Sequence, residues 1–334
     1  MSPSISVIQA TLDQAVAKSR RNHAGAAADY IPELALVPLE TTSAAITRSD
    51  NTCLTAGDVD AHLFTFQSSA KVLLLAGLLE ERGPVEVFAT VGSEPSGQDF
   101  ASLARLETDG PLPANPLVNA GAIALCGQLR GSADQRIAWI QRWAEKLYGT
   151  RLEIDEKVLV SESRTASRNR AIAHLLAHNG VLTSDVETTL ATYFALCSLR
   201  GSVREASRLP AVLANGGVAP GSNQRILSYS TVAIVVSLMA TCGMYNESGN
   251  YLVATGMPAK SGVSGVIIAV VPGVAGIAVS SPRLNDKGGS VRGHIILRQL
   301  SRNLGWHFAI ANQPNAPMPS EAPPTMDDSN HQEW

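Results

Sequence analysis

One apolar stretch, Phe64 to Glu80, constrains the fold more than any other part of the chain. It opens as a short strand or loop and continues as a helix that we expect to end at Gly83, because glycine suits the left-handed conformation of a helix C-terminal cap. Residues Val72 to Leu79 are apolar on most sides of this helix, so it should lie in the core and not on the surface. The sequence therefore predicts a central buried helix.

Ser68 and Lys71 stand three residues apart and so share one face of the predicted helix. A hydroxyl is a poor nucleophile until a base takes its proton, and a lysine is such a base when burial and nearby cations lower its pKa. This is the arrangement of Ser-x-x-Lys acyl-transfer enzymes. For the motif alone, a helix-capping serine and a solvated lysine are the commoner explanation. A lysine between Ala70 and the apolar residues Val72 to Leu75 should not be solvated, which favours the catalytic interpretation.

Composition narrows the class of protein. The chain has 334 residues, of which 45% are hydrophobic and 16% charged, as expected for a globular protein with a sizeable core in one large domain or two. Its formal net charge of −3 gives no electrostatic argument for binding nucleic acid or an anionic membrane. No apolar run is long enough to span a bilayer. We therefore expect neither nucleic acid nor a membrane as a partner.

The N-terminal segment and the cysteines indicate the compartment. Met1 to Asn22 lacks the apolar core of a signal peptide, and Ile8, Leu12 and Val16 are spaced like the buried stripe of a helix. The cysteines are widely spaced, with no C-x-x-C motif, so we expect reduced core thiols in a cytoplasmic protein. They are Cys53, Cys126, Cys197 and Cys242.

The period of the apolar residues predicts strands near both ends and helices between them. Strands are predicted at 34–39 and 43–47, and a hairpin of two strands at 264–271 and 276–281. A structured loop rich in glycine and proline is expected over 86–115. Helices are predicted at 117–129, 134–148, 167–178, 229–241 and 290–304, and capping-box patterns that begin at Ser184 and Ser202 predict two more.

This order of elements implies an α+β fold, in which the N- and C-terminal segments build one antiparallel sheet and the middle of the chain forms a helical lobe. We predict one domain over 1–311. Its sheet lobe would cover about 24–63 and 250–311, and its helical lobe about 64–249, with the site in the cleft between them. The tail at 312–334 is rich in Pro, Asn, Ser and Asp, and we expect it to be disordered.

A Lys-Ser-Gly-Val segment at 260–263 offers an oxyanion hole for Ser68. If the first strand of the C-terminal hairpin lies beside the Ser68 helix, the Val263 N–H can pair with the N–H of Ser68 around a developing oxyanion. Glycine at 262 would let a substrate approach the backbone closely. Lys260 would add a positive charge that helps to keep the other lysine of the site neutral. The order Ser-x-x-Lys, helical block, Lys-Ser-Gly is that of penicillin-recognising enzymes.

Longer stretches carry a closer resemblance. They are ADYIPEL (28–34), QSSAK (67–71), EPSG (94–97), NPLVNAGAI (115–123), NRAIA (169–173), LANGG (213–217), TCGMY (241–245) and PAKSGV (258–263), in this order within about 25–305. In these stretches the chain resembles the bacterial serine-dependent glutaminases, which have a β-lactamase/transpeptidase-like fold.

The resemblance implies hydrolysis of L-glutamine to L-glutamate and ammonia through an acyl-enzyme, with no cofactor and no metal. Ser68 matches the nucleophile and Lys71 the general base, with the backbone N–H groups of Ser68 and Val263 as the oxyanion hole. The matched catalytic positions are Ser68, Lys71, Tyr245, Lys260 and Ser261. The matched substrate-binding positions are Gln67, Ser68, Asn119, Glu162, Asn169, Tyr193, Tyr245 and Val263. The family also implies a homo-oligomer, a dimer or a tetramer.

Elementary chemistry suggests roles for several of these residues. Glu162 is the natural partner of the α-ammonium group of glutamine, and Asn and Tyr donors suit its α-carboxylate. Either Tyr193 or Tyr245 is able to relay a proton to the leaving ammonia. From the local sequence alone, Tyr193 would be a core residue and Glu162 a solvated loop carboxylate. Asn119 lies in an apolar helix, where an amide needs a hydrogen-bond partner.

Three other interpretations compete with this one. A metal site at His174 and His178 is disfavoured, because Leu175 stands where a zinc protease has its glutamate and no third ligand suggests itself. A penicillin-recognising serine hydrolase shares the motifs, but such enzymes work outside the cytoplasm and the chain shows no signal peptide. A non-catalytic amino-acid-binding protein would not need Ser68 and Lys71.

Overall fold

A five-stranded antiparallel sheet and a large group of helices form the computed structural model, which describes residues 3–29, 31–96, 106 and 110–310. The predicted tail at 312–334 and part of the predicted loop at 86–115 lie outside the described residues. The strands are β1 (Ser43–Arg48), β2 (Cys53–Gly57), β3 (Phe64–Thr65), β4 (Glu153–Ile154), β5 (Leu199–Gly201), β6 (Ala259–Gly262), β7 (Val266–Val271) and β8 (Ala275–Ser280).

Helices fill the chain between the early and the late strands, as predicted. They are α1 (Ile5–Ser19), α2 (Pro32–Ala35), α3 (Lys71–Val87), α4 (Asn119–Gln128), α5 (Ala133–Tyr148), α6 (Glu156–Thr165), α7 (Ser167–His178), α8 (Val186–Cys197), α9 (Val203–Ala206), α10 (Arg208–Ala214), α11 (Tyr229–Cys242), α12 (Ser248–Thr255) and α13 (Val291–Leu304). Short 3₁₀ turns lie at Gln67–Ala70, Tyr245–Glu247 and Phe308–Ile310. Among the described residues, every helix is too short or too polar to cross a membrane.

The sheet joins both ends of the chain in the order β2-β1-β8-β7-β6. Its central strand β8 pairs with β1, where Ala45 faces Ala278, and with β7, where Ile268 faces Ala278. Apolar residues of α1 and α13, such as Leu12 and Leu300, pack with one face of this sheet. The N- and C-terminal segments therefore form one antiparallel sheet, which confirms the predicted α+β class.

Helix α3 lies in the core, as its all-round apolar sequence predicts. Residues Val72 to Leu78 have no exposed surface, and they pack with residues of α4, α5, α8 and α11 in one hydrophobic cluster. The helix is interrupted at Gly83, as predicted, but the backbone there (φ 74°, ψ 168°) is not a left-handed cap. Pro84 restarts one further turn beyond the break.

Some local predictions are wrong. Cys53 was expected to be a core thiol, but it is exposed at the start of the edge strand β2. Residues 34–39 were expected to form a strand, but Pro32 and Glu33 begin the short helix α2, and Leu36 beyond it is 85% exposed. Proline at the first position of a helix is favoured, and a run this short has no period that separates strand from helix. The N-cap of α8 is Asp185 and not Ser184, because Asp185 accepts from the Thr188 N–H while Ser184 accepts from Arg136.

The sequence analysis also missed a small second sheet and the edge strand of the large one. The small sheet has the order β3-β5-β4, and its strands have two or three residues each. Strand β2 at the edge of the large sheet was assigned to no element. Strands this short carry little pattern of alternation. The small sheet matters because β3 leads directly into the turn that carries Ser68.

A fully buried guanidinium anchors the segment before β1. Arg292 on α13 donates to the Asn22 carbonyl at 2.8 Å, to the Glu40 carbonyl at 3.0 Å and to the Glu40 carboxylate at 2.5 Å. Arg283 donates to the other Glu40 oxygen at 2.6 Å. Together these two arginines hold the pKa of Glu40 at about 2. The segment is therefore fixed to the C-terminal helix by charged hydrogen bonds.

Candidate active site

The Ser68 turn is a sharp junction between β3 and α3. Ser68 lies in the 3₁₀ turn and not in the α-helix, which begins at Lys71. Gln67 before it has φ +48°, an unusual value for a residue with a side chain. Such backbone strain persists only where the surroundings impose it, and it clusters at functional sites. The turn leaves Ser68 7% exposed, one turn ahead of Lys71.

Lys71 is buried, as its apolar neighbours predict, and only 1% of it is exposed. Its Nζ donates to Asn119 Oδ1 at 2.6 Å and to the Leu117 carbonyl at 3.3 Å. Burial lowers its pKa from 10.5 to about 8, and the nearby Cys197 and Glu162 oppose this shift. Near neutral pH the neutral form of Lys71, which is able to accept a proton, is therefore a minority but far more populated than in an ordinary lysine.

Asn119 connects this lysine to a second amide. It is the first residue of α4, and its Nδ2 donates to Asn169 Oδ1 on α7 at 3.0 Å. The predicted need of Asn119 for a partner is thus met from both sides, and the amide is 7% exposed. Three of the predicted site residues, Lys71, Asn119 and Asn169, therefore form one continuous hydrogen-bonded chain.

Glu162 lies on helix α6, so the expectation of a solvated loop is wrong. The residue as a whole is half-buried, but its Oε2 is hidden from solvent and has no hydrogen-bond partner among the described residues. Burial raises its pKa to about 8, against the opposing effects of the Lys71 charge and a hydrogen bond with the Gln67 side chain. The local sequence did not reveal this because the burial comes from residues far along the chain.

Strand β6 packs against the Ser68 turn, but it is a separate strand and not the start of the predicted hairpin strand, because its Lys260 and Ser261 pair with Ile268 and Ile267 of β7. Gly262 has a different role from the predicted one: a Cβ there would lie 2.6 Å from the Phe66 carbonyl oxygen and 3.4 Å from Gln67 Cβ. The glycine lets the strand approach the chain's own turn, and no space at its Cα is left for a substrate. A close approach of two backbones is a common reason for glycine in a strand.

Lys260 and Tyr245 form a second polar group beside this strand. Lys260 Nζ donates to the Ser261 carbonyl at 2.6 Å and lies 4.2 Å from the centre of the Tyr245 ring. The Tyr245 hydroxyl donates to the same carbonyl at 3.3 Å. Tyr245 also has a positive φ of +56°. Ser261 Oγ is buried without a hydrogen-bond partner among the described residues.

The second buried amine is affected by the first. Burial, and then the positive charge of Lys71, holds the pKa of Lys260 well below its usual range. The predicted effect in the other direction is not found, because the pKa of Lys71 is lowered by burial and not by Lys260. The low pKa of Lys260 favours its neutral form.

The remaining predicted residues surround this centre. Tyr193 on α8 is buried, and its ring lies 5.9 Å from Lys71 Nζ. Val263 and Tyr245 line a cleft of about 470 Å³. Two residues that the sequence analysis placed in the core, Cys126 and Cys197, are also electrostatic neighbours of Lys71. Burial raises the pKa of both thiols, so they surround the lysine with neutral groups.

The geometry thus joins a hydroxyl on a strained turn, a partly neutral buried lysine and a buried carboxyl group. Comparison with known proteins agrees with it: a family model described as Glutaminase matches residues 25–308. A glutaminase of Legionella pneumophila (strain Corby) is 49% identical over 310 residues, which are 93% of this chain and 100% of the relative. The chain belongs to the glutaminase family.

Other members of the family support the assignment. A glutaminase of Corynebacterium efficiens is 39% identical over 87% of this chain and 69% of its own length. The solved structure of probable glutaminase ybaS is 38% identical and has a TM-score of 0.86, covering 90% of this chain and 97% of its own. The structure of Mglu in its glutamate form is 34% identical with a TM-score of 0.86, over 92% of this chain and 70% of its own.

The chain is therefore an enzyme, an amidohydrolase of the glutaminase family with the predicted β-lactamase-like fold. Members with 38% and 34% identity share its architecture over most of their length.

The pH dependence of activity follows from the two shifted groups. If Lys71 is the base, as the resemblance implies, and Glu162 pairs with the ammonium of the substrate, both groups must lose a proton before reaction. With both pKa values at about 8, kcat/KM should rise with pH up to about 8 and then level, with a limiting slope of about two protons on the acid side. Steady-state kinetics in constant-ionic-strength buffers test this. A plateau already reached at pH about 6.5 would contradict it.

Proposed function

We propose that this enzyme hydrolyses L-glutamine to L-glutamate and ammonia through an acyl-enzyme on Ser68. The observation that carries the proposal is the buried Lys71, which lies one turn after Ser68, is held by Asn119 at 2.6 Å and has a pKa lowered to about 8. An ammonium group has three donors. Two are directed to Asn119 and the Leu117 carbonyl, which leaves the third position of the nitrogen, the lone pair of the neutral amine, for the Ser68 hydroxyl.

In the acylation step, Lys71 Nζ takes the proton of the Ser68 hydroxyl while Oγ attacks the γ-amide carbon. The developing oxyanion accepts hydrogen bonds from the backbone N–H groups of Ser68 and Val263. The close packing of β6 on the Ser68 turn supports this pairing. The tetrahedral intermediate then breaks its C–N bond, and the leaving nitrogen takes a proton and departs as ammonia.

We assign the proton relay to Tyr245 in preference to Tyr193. The Tyr245 hydroxyl lies beside Lys260, and both donate to the Ser261 carbonyl. The proton that Lys71 took from Ser68 then returns to the Tyr245 phenolate, so that Lys71 is neutral again before deacylation. In deacylation the neutral Lys71 takes a proton from a water molecule, whose oxygen attacks the ester carbonyl. The tetrahedral intermediate then breaks its bond to Ser68 Oγ, Lys71 returns its proton to that oxygen, and glutamate is released.

The α-groups of glutamine select the substrate. Glu162 places at the site a buried carboxyl oxygen that has no hydrogen-bond partner in the described part of the chain, which suits an ammonium that has lost its water. Asn169, Asn119 and Tyr193 supply neutral donors for the α-carboxylate. A neighbouring structure of the family is that of Mglu in its glutamate form, which supports a site shaped for this product. The homo-oligomeric state and the cytoplasmic location remain predictions.

The role of Lys71 as a base is tested by Lys71→Arg. Arginine keeps a positive charge and similar length but does not deprotonate, so we expect activity to fall by several orders of magnitude, as in Ser68→Ala. Ammonia release from glutamine measures both variants, with circular dichroism as the control for folding. An arginine variant with turnover comparable to wild type would show that Lys71 acts only through its charge.

The proposed pairing of Glu162 with the α-ammonium group of glutamine, called the substrate clamp below, is tested by Glu162→Gln. Removing one partner of a buried charged pair costs about 3–5 kcal/mol, so kcat/KM for glutamine should fall several hundred-fold or more. Asn169→Ala removes a neutral group and should cost less. Labelling of Ser68 by a small acylating reagent should stay near the wild-type rate in both variants. Equal losses of labelling and turnover in Glu162→Gln would assign the residue to the catalytic apparatus and not to the clamp.

A further inference from the structure

A buried polar cluster lies directly behind the Tyr245 turn, and the mechanism above does not use it. Glu247 closes that turn, and its Oε1 accepts from Asn285 Nδ2 at 2.9 Å. Asn285 in turn organises the loop that follows it, because its Oδ1 accepts from the N–H groups of Lys287 at 3.1 Å and Gly289 at 2.9 Å. One carboxylate therefore connects the Tyr245 turn to the 285–289 loop.

The second oxygen of this carboxylate faces a histidine across a glycine. Glu247 Oε2 and His294 Nε2 are both buried without a hydrogen-bond partner among the described residues. A Cβ built on Gly289 would lie 2.8 Å from Glu247 Oε2 and 2.9 Å from His294 Nε2. The two polar atoms therefore converge on one point, and only a residue without a side chain fits between them. Burial lowers the pKa of His294 to about 4, so the imidazole facing the carboxylate is neutral at neutral pH.

The 285–289 loop also contacts the proposed reaction centre. A Cβ on Gly288 would lie 3.7 Å from Tyr245 Cε2 and 4.0 Å from Val263 Cγ1, so the backbone of this loop packs against both side chains. On the other side of the turn, Ser248 Oγ donates to the Tyr245 carbonyl at 2.9 Å and accepts from the Met244 N–H at 3.0 Å. Tyr245 is thus held in its left-handed conformation between these two supports.

We propose that Glu247, acting through Asn285 and seated against Gly289 and His294, is a positioning residue that fixes the Tyr245 phenol for proton transfer to the leaving nitrogen. The proposal rests on the Tyr245 relay of the proposed function. A donor displaced by about 1 Å can cost on the order of 100-fold in rate, so a hydrogen-bonded support of this kind sets the turnover number without touching the substrate.

Two separate glycine-to-alanine variants test the proposal, because each adds one methyl group at a different position. Gly289→Ala drives a methyl group between Glu247 and His294, whereas the methyl of Gly249→Ala, on α12 near the same turn, meets no atom within 4 Å. We expect Gly289→Ala to lower kcat for glutamine by about 10- to 100-fold with little change in KM. Gly249→Ala should match wild type.

The chemical readout is the comparison of an amide with an activated ester. Glutamate γ-(p-nitrophenyl) ester releases a phenolate that needs no proton, so its cleavage depends on Ser68 and Lys71 but not on a proton donor. Gly289→Ala should therefore leave ester cleavage within about three-fold of wild type. Equal losses on amide and ester would show that the cluster only supports the general structure, and the proposal would be wrong.

Two variants of Glu247 keep the proposal testable if Gly289→Ala does not fold. Glu247→Leu removes the acceptor of Asn285 Nδ2 and should lower amide turnover by about 10-fold or more. Glu247→Gln keeps that acceptor and should retain most of the activity. Unchanged amide turnover in Glu247→Leu would overturn the proposal.

A double-mutant cycle separates this proposal from the proposed function. If Glu247 acts through Tyr245, Glu247→Leu should have no further effect on amide hydrolysis in a Tyr245→Phe background. The same loss in both backgrounds would refute positioning while leaving the relay intact. Wild-type amide turnover in Tyr245→Phe alone would refute the relay and, with it, this proposal, although the Ser68 acyl-enzyme would stand.

Discussion

The hydrogen bond from Lys71 Nζ to Asn119 Oδ1, 2.6 Å long in a wholly buried site, is the interaction on which the rest of the structure depends. Burying an amine away from water destabilises the folded protein unless the amine is hydrogen-bonded or neutral. Both conditions are met here, because Asn119 at the start of α4 and Leu117 just before it supply the acceptors, and burial lowers the pKa of the amine to about 8. The apolar surroundings of α3 thus give the lysine its chemistry as well as the protein its core.

The sheet contributes the other half of the site through close backbone contact. Strand β6 lies at one edge of the five-stranded sheet and packs against the Ser68 turn, with Gly262 against the Phe66 carbonyl. Two residues with positive φ contact this strand: Gln67 lies against Gly262, and the Tyr245 hydroxyl donates to the Ser261 carbonyl. Such conformations cost free energy and persist because the packing around them is over-determined. The reaction centre is therefore placed by tertiary contacts more than by local preference.

This contrast between local preference and tertiary contacts explains which features the sequence could predict. Helix α5 was predicted closely because its apolar period is clear and Gly149 ends it, with φ 75° in the structure. The pair of Ser68 and Lys71 was found because a lysine inside an apolar run is conspicuous. Helix α2 was mistaken for a strand because a four-residue helix shows no period. The burial of Glu162 could not be read locally, since it comes from distant residues.

The central claim is that Lys71 titrates far below an ordinary lysine. The most direct measurement is an NMR titration of protein labelled with ¹³C at the lysine ε-carbon, in which the Lys71→Arg variant identifies the Lys71 signal. The account predicts a midpoint for Lys71 of about 8. A midpoint at the ordinary value of 10.5 would show a lysine that stays protonated at working pH, and the assignment of Lys71 as the general base would be wrong.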